Sequence, residues 1–373
     1  MTRKPAPTSP SSRHGLHSII CVPSPRMRTI GTPLSEPATA YSRLRGGDSS
    51  RGMIEFPRAF NPCPAVWQIR NASGKIPRKA GPEAMPFKHP ELLIEPDELA
   101  RSIDDPNLRL FDATVFLLPA ASGYRAESGL ERYREGHIPG SAFMDLIRAF
   151  SDTSTGLGFS LPAQSALADA MGKAGIGADH AVVVYSSGHI MWATRAFWLL
   201  TAAGHRNVRV LNGGLKGYQA GGHALRAGEE HYPATPFSGT PLRSRFTDLA
   251  GMQAAASTPH VCTVNALSPS VYAGSGDMHY GRRGHIPGSR NVHYDALLDG
   301  DRFAAPEVME AALAAGGMLS APRVVTYCGG GISATVDAFA CLLFGHPNVT
   351  VYDGSMAEWV RDPSLPLTVG AEP

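Results

Sequence analysis

Apolar residues fall along this chain in two alternating rhythms. Short, nearly unbroken β-branched runs, "LRLFDA" (108–113), "AVVVYSS" (181–187) and "NVRVLNGG" (207–214), predict strands covered on both faces. Between the last two lies "MWATRAFWLLTAAG" (191–204), with apolar residues at helical spacing and a glycine at its end, which predicts a helix. The same succession returns later. "HVCTVNA" (260–266), "RVVTYCG" (323–329) and "NVTVYDGS" (348–355) are the strand candidates, and "SATVDAFACLLFG" (333–345) is the helix. Alternation of this kind predicts an α/β fold, a parallel β-sheet flanked by helices on both faces.

An identical hexapeptide, "GHIPGS", starts at Gly136 and again at Gly284, 148 residues apart. Each copy stands between the first and second strand candidates of its half. The same order of elements twice predicts a duplicated domain. The first copy is expected over residues 86–230 and the second over 245–367, joined by a linker at 231–244 within a stretch rich in Pro, Ser and Thr.

Residues 1–85 break the pattern. They are rich in Pro, Ser, Gly and Arg and lack apolar periodicity, so they bury too little surface to offset their ordering entropy. Residues 1–84 carry 13 Lys+Arg against 4 Asp+Glu, whereas the other 289 residues carry 21 against 28. The overall charge of +2 therefore hides a basic leader and a mildly acidic body, and the body offers no basic patch for nucleic acid. The leader is expected to be a disordered extension or sequence upstream of a natural start at Met85. Pro5, Pro7 and Pro10 oppose the amphipathic helix of an organelle transit peptide, and "HSIICV" is too short for a secretory signal.

The apolar content of 43% fits a globular protein, and no apolar run reaches the ~20 residues of a membrane span. No membrane association is expected. Five cysteines, Cys21, Cys63, Cys262, Cys328 and Cys341, show no metal-ligand spacing, so no metal site is expected either. Few, unevenly spaced cysteines suit a reducing compartment, and the expected location is cytoplasmic.

One of them stands at a corner. In "VVTYCGGGISA" the strand candidate stops at Cys328, three glycines follow, and the helical pattern begins near Ile332 or Ser333. Ligands of open parallel sheets gather at the carboxyl ends of strands. Successive glycine N–H groups can form an anion-binding nest, and the helix adds its positive N-terminal end. Both favour a thiolate nucleophile over an inert buried thiol. Cys341, inside the apolar helix, and Cys262, on a strand, read as core. The first repeat has Ser186 opposite Cys328, with bulky His189, Ile190, Met191 and Trp192 where the second has its compact loop. The first domain is therefore expected to be inactive and the second catalytic.

The duplicated GHIPG segment, the strand-end cysteine opening a six-residue loop, and "VYDGS" followed by "EW" resemble the tandem-domain rhodanese sulfurtransferases, over residues 90–367. The resemblance implies two rhodanese-like domains and a catalytic Cys328 that carries sulfane sulfur as a persulfide. Gly329, Gly330, Gly331, Ile332, Ser333 and Ala334 would cradle the anion. It implies a small donor, thiosulfate or 3-mercaptopyruvate, and a thiol or cyanide acceptor, a reduced thioredoxin-like protein among them, with no metal or organic cofactor. A neutral loop goes with mercaptopyruvate in that family. Gly330, however, stands where the mercaptopyruvate enzymes commonly have Ser. Asn265, Ala266 and Leu267 stand where many members read Asp-Ala/Ser-Arg and grip the substrate anion with the arginine. Arg282 and Arg283, just before the second GHIPGS, are the candidates to supply that charge, and a solvated turn pair is the alternative. His137 is a further substrate-binding candidate, because the corresponding His of the mercaptopyruvate enzymes lies near the cleft. His285, Asp353, Trp359 and Arg195 read as structural.

Two other readings are weighed. Phosphatases of a related fold need Cys-x5-Arg, and here Ala334 stands six residues after Cys328. A non-catalytic rhodanese-like module for sulfur relay or binding keeps the cysteine loop and explains the missing Asp/Arg pair.

Overall fold

The computed structural model describes residues 86–119 and 124–373. The expectations for the leader, for Cys21 and for Cys63 lie outside the described residues. Ten short strands build two five-stranded sheets. The first contains β1 (Leu93–Ile94), β2 (Leu108–Asp112), β3 (Ser141–Phe143), β4 (Ala181–Tyr185) and β5 (Val208–Leu211), in the order β1-β5-β4-β2-β3. The second contains β6 (Phe246–Thr247), β7 (Val261–Asn265), β8 (Arg290–Asn291), β9 (Arg323–Tyr327) and β10 (Val349–Tyr352), in the order β6-β10-β9-β7-β8. The two orders are the same, and every neighbouring pair is parallel. Residues 231–242 carry neither helix nor strand.

The strand runs are continuously apolar because both faces are covered. In β4, Val182 and Val184 join the core that contains Trp192 and Phe197 of the helix Met191–Ala202. Val183 and Tyr185 point the other way, into a core with Leu99 and Leu215. Period-2 side-chain alternation thus feeds two hydrophobic layers from one strand.

The last residue of each central strand is a tyrosine, and it anchors the hexapeptide. The Tyr327 hydroxyl accepts the Ile286 N–H at 3.0 Å and lies 2.6 Å from Ser289 Oγ. Tyr185 does the same with Ile138 and Ser141, at 3.2 and 2.8 Å. GHIPGS is therefore the clamp that fixes the strand end from which Ser186 or Cys328 projects.

The helices that follow these corners, Met191–Ala202 and Ala334–Leu343, pack on each other. Thr194 and Thr335 share a hydroxyl hydrogen bond of 2.7 Å, and Phe197 meets Phe339 edge-on at 4.8 Å. Both corners thus open toward the same seam. Cys341 is fully buried in this packing, whereas Cys262 is only partly buried, with its thiol 3.3 Å from the Gly316 carbonyl.

Candidate active site

Cys328 follows β9 directly and is 2% exposed. Its N–H donates to Ser355 Oγ at 3.1 Å, and its carbonyl accepts the Met356 N–H at 3.0 Å. The Gly329 carbonyl accepts the Ala357 N–H at 2.8 Å. These ties hold the start of the loop by its carbonyls. Among the described residues, no acceptor is found for the N–H groups of Gly329, Gly330, Gly331, Ile332, Ser333 or Ala334. Six consecutive donors left open after one cysteine, at the start of a ten-residue helix, favour negative charge at this corner. Glycine is required at two of these positions. Gly331 has φ 74°, and a Cβ there would overlap the Asp353 carbonyl. A Cβ on Gly329 would overlap the Tyr280 phenol, which lies directly against the loop.

The first-domain corner is closed on itself. Ser186 Oγ accepts the Gly188 N–H at 3.0 Å, Thr114 Oγ1 accepts the Ser187 N–H at 2.7 Å, and the His189 ring accepts the Met191 N–H at 3.1 Å. The same strand-to-helix turn that leaves amides open in one copy uses them internally in the other.

Arg195 links the two halves. This side chain, 1% exposed, reaches out of the first-domain helix and donates to the Gly331 carbonyl at 3.1 Å and to Asp353 Oδ1 at 2.8 Å. It also donates to the Phe159 carbonyl. Asp353 Oδ2 in turn accepts the Leu161 N–H at 2.7 Å. Phe159 sits in the left-handed region at φ 63°, a strained conformation for a non-glycine residue, and its ring tilts onto Trp192 at 5.1 Å. One guanidinium therefore braces the cysteine loop, the acidic residue behind it and a wall of the pocket. Arg195 is structural, as expected, but its partners lie 136 and 158 residues away in the other domain, beyond the reach of local pattern.

Asp337 occupies in the second helix the place of Arg195 in the first. It is fully buried, and neither carboxyl oxygen has a hydrogen-bond partner. Burial first, and the proximity of Cys328 second, hold its carboxyl well above the usual carboxylate range. A raised folded-state value means that the folded protein keeps a proton which the unfolded chain releases near pH 4. Stability then falls as pH rises above that point. Asp337→Asn is expected to be more stable than wild type, with a gain that vanishes below about pH 4 and grows by up to ~1.4 kcal/mol per pH unit above it. Denaturant melts between pH 4 and 8 check the sign; a gain independent of pH would contradict it.

Cys328, Gly329, Gly330, Ile332 and Ser333 line a pocket of about 950 Å³. The first domain contributes Phe159, Met191 and Trp192, and the second Leu267, Tyr280 and Tyr294. Gly331 and Ala334 are not part of this lining. Three expected substrate contacts are corrected. Arg282 donates to the Asp362 carbonyl at 3.1 Å, and Arg283 donates to the carbonyls of Gly274 and Gly276, so neither guanidinium reaches the pocket. The turn before GHIPGS directs both outward. His137 is fully buried in the first domain, stacked on Tyr133 at 4.1 Å. Its Nδ1 donates to the Tyr133 carbonyl at 2.9 Å, and its Nε2 lies 3.4 Å from Glu230. His285 repeats this arrangement on Tyr272, at 2.9 Å and 3.7 Å. The two histidines secure the motif rather than face the cysteine.

Two parallel α/β domains, one with a cysteine after its central strand and open amides beyond it, define the class: residues 95–221 and 272–362 match the rhodanese-like domain. The chain is 30% identical over 273 residues to the 3-mercaptopyruvate sulfurtransferase of Escherichia coli (strain K12), covering 73% of this chain and 95% of that one. It is 32% identical over 280 residues to the thiosulfate sulfurtransferase of Rattus norvegicus, covering 72% and 92%. The crystal structure of SseA from Escherichia coli, a 3-mercaptopyruvate sulfotransferase, superposes with a TM-score of 0.63 at 29% identity, over 72% of this chain and 99% of that one. The chain belongs to the tandem-domain rhodanese family of sulfurtransferases. Among the described residues, no helix is long and apolar enough to cross a membrane.

Proposed function

We propose that the protein moves a sulfane sulfur from thiosulfate or 3-mercaptopyruvate to a thiol or cyanide through a persulfide on Cys328. The observation that carries this reading is the set of six open N–H groups around the Cys328 corner. The Cys328 thiolate attacks the outer sulfur of thiosulfate or the thiol sulfur of 3-mercaptopyruvate. With thiosulfate, the S–S bond breaks and sulfite leaves with the electron pair. With 3-mercaptopyruvate, the C–S bond breaks and the enolate of pyruvate leaves, to be protonated. The acceptor then attacks the outer sulfur and returns Cys328 to the thiolate. This is covalent, two-step catalysis in which each step is a displacement at sulfur. The loop amides stabilise the charge on the bound sulfur. A reducing, cytoplasmic setting suits a carrier that must return to the free thiol, and a reduced thioredoxin-like protein is one acceptor of suitable chemistry.

The test is intact mass after incubation with either donor. Wild type is expected to gain one sulfur and to lose it to cyanide; a protein that gains none sinks the reading. Ser186→Ala is expected to leave kcat/KM unchanged, because its corner uses its own amides, and a large loss there would mean that the first domain is not silent. A sulfur-relay or binding module is the second reading. It is favoured by the pocket lining, which contains no Lys or Arg among the described residues. It predicts sulfur uptake from a protein persulfide without turnover of thiosulfate or 3-mercaptopyruvate.

A further inference from the structure

The pocket over Cys328 is much larger than either proposed donor needs. About 950 Å³ lies near the top of the ~300–1,000 Å³ range that encloses drug-sized ligands. A small ion or a three-carbon acid fills only a fraction of it. Its walls are also chemically one-sided. Phe159 and Met191 face it from the first domain, and Leu267, Tyr280 and Tyr294 from the second. The charged residue in the lining is an exposed Asp277, and burial lowers the basicity of the lining His293, favouring its uncharged form. Burial keeps the Tyr280 and Tyr294 phenols protonated.

The two half-reactions use this space differently. During loading, the open loop amides can hold a small anion. Once Cys328 carries its sulfur, that sulfur occupies the amides, and the second substrate meets only the remaining walls. Those walls offer aromatic faces, a carboxylate, the imidazoles of His279 and His293 and serine hydroxyls, with no Lys or Arg among the described residues. They favour apolar and aromatic groups and penalise a desolvated anion. The strain at Phe159, fixed through its carbonyl by Arg195, shows that the aromatic wall is a built feature.

Resting on the reading of Cys328 as sulfur carrier, we propose that the acceptor is a small organic thiol with an aromatic or branched apolar body and no negatively charged group, seated against Phe159, Tyr280 and Tyr294. Its thiolate attacks the outer sulfur of the Cys328 persulfide. A new S–S bond forms to the acceptor while the bond to Sγ breaks. The electron pair stays on Sγ, which leaves as the thiolate, and the transferred sulfur carries its own charge across to the acceptor. The acceptor leaves as a persulfide, and no further oxidant or reductant is consumed.

The experiment loads the full-length protein with inorganic polysulfide, removes the excess and verifies one added sulfur by intact mass. Single-turnover discharge is then followed with 2-phenylethanethiol, 3-mercaptopropionate and a reduced thioredoxin, each compared per thiolate. The aromatic thiol is expected to discharge the protein faster than 3-mercaptopropionate by about ten-fold or more, the discrimination available when a site desolvates an unmatched charge. Leu267→Arg is expected to shift that ratio toward 3-mercaptopropionate by about ten-fold, by supplying the missing cation. Equal rates for the two small thiols, or discharge by thioredoxin alone, would overturn the acceptor assignment and leave the carrier reading standing. A protein that takes up no sulfur would overturn the carrier reading, and this assignment with it.

Discussion

Cys328→Ser is expected to lower sulfur transfer by about 10⁴-fold or more, the scale of loss when a covalent nucleophile is removed. The hydroxyl is a poor nucleophile toward sulfur at neutral pH and gives no persulfide. The fold should survive the change. The ties that hold the corner run through the main chain, from the Cys328 N–H to Ser355 Oγ and from the Met356 N–H to the Cys328 carbonyl, and neither uses the thiol. A serine in a 2% exposed position can also turn its hydroxyl toward the open amides. Stability is therefore expected to change by about 1 kcal/mol or less. Thiocyanate formation from thiosulfate and cyanide, or pyruvate release from 3-mercaptopyruvate, reads the activity, and a denaturant melt reads the fold. Retention of a tenth of the wild-type rate by a folded Cys328→Ser protein would place the chemistry elsewhere.

The second large effect is expected far from the thiol. Arg195→Met removes the partner of Asp353 and the brace on Gly331 and Phe159, replacing them with an apolar chain of similar length. Arg195 is 1% exposed and the Asp353 side chain 16%, so the carboxylate is left desolvated and unmatched. Breaking a buried pair from one side costs about 3–5 kcal/mol. The loop should also lose its fixed shape, so kcat is expected to fall in the fraction that remains folded. Arg195→Lys separates the two effects. A single ammonium can satisfy Asp353 but lacks the planar fork that reaches three oxygens together, so stability should recover more than kcat. Asp353→Asn added to Arg195→Met should restore part of the lost stability. If Arg195→Met melts like wild type, the brace has no energetic weight.

Local patterns were the legible ones. The β-branched runs at 181–187 and 323–329 became strands ending at Tyr185 and Tyr327, because a run covered on both faces has no polar position to confuse its rhythm. The cysteine loop was legible because its glycines, its thiol and its helix are consecutive. Proximity to a motif misled. Arg282, Arg283 and His137 sit beside or within GHIPGS, but the turn sends two of them to carbonyls and buries the third against Tyr133. The aromatic wall was invisible for the opposite reason. Phe159, Tyr280 and Tyr294 come from three separated segments, and only the packing of one domain against the other brings them over Cys328. Leu267 was legible as a missing charge, and its place in the lining gives that absence a spatial meaning.

Arg195 also ties the two halves of the duplication together. The strut that holds the cysteine loop belongs to the first copy, so the second half does not carry everything its own loop needs. Separating the two halves would orphan Gly331 and Asp353 from the guanidinium that holds them.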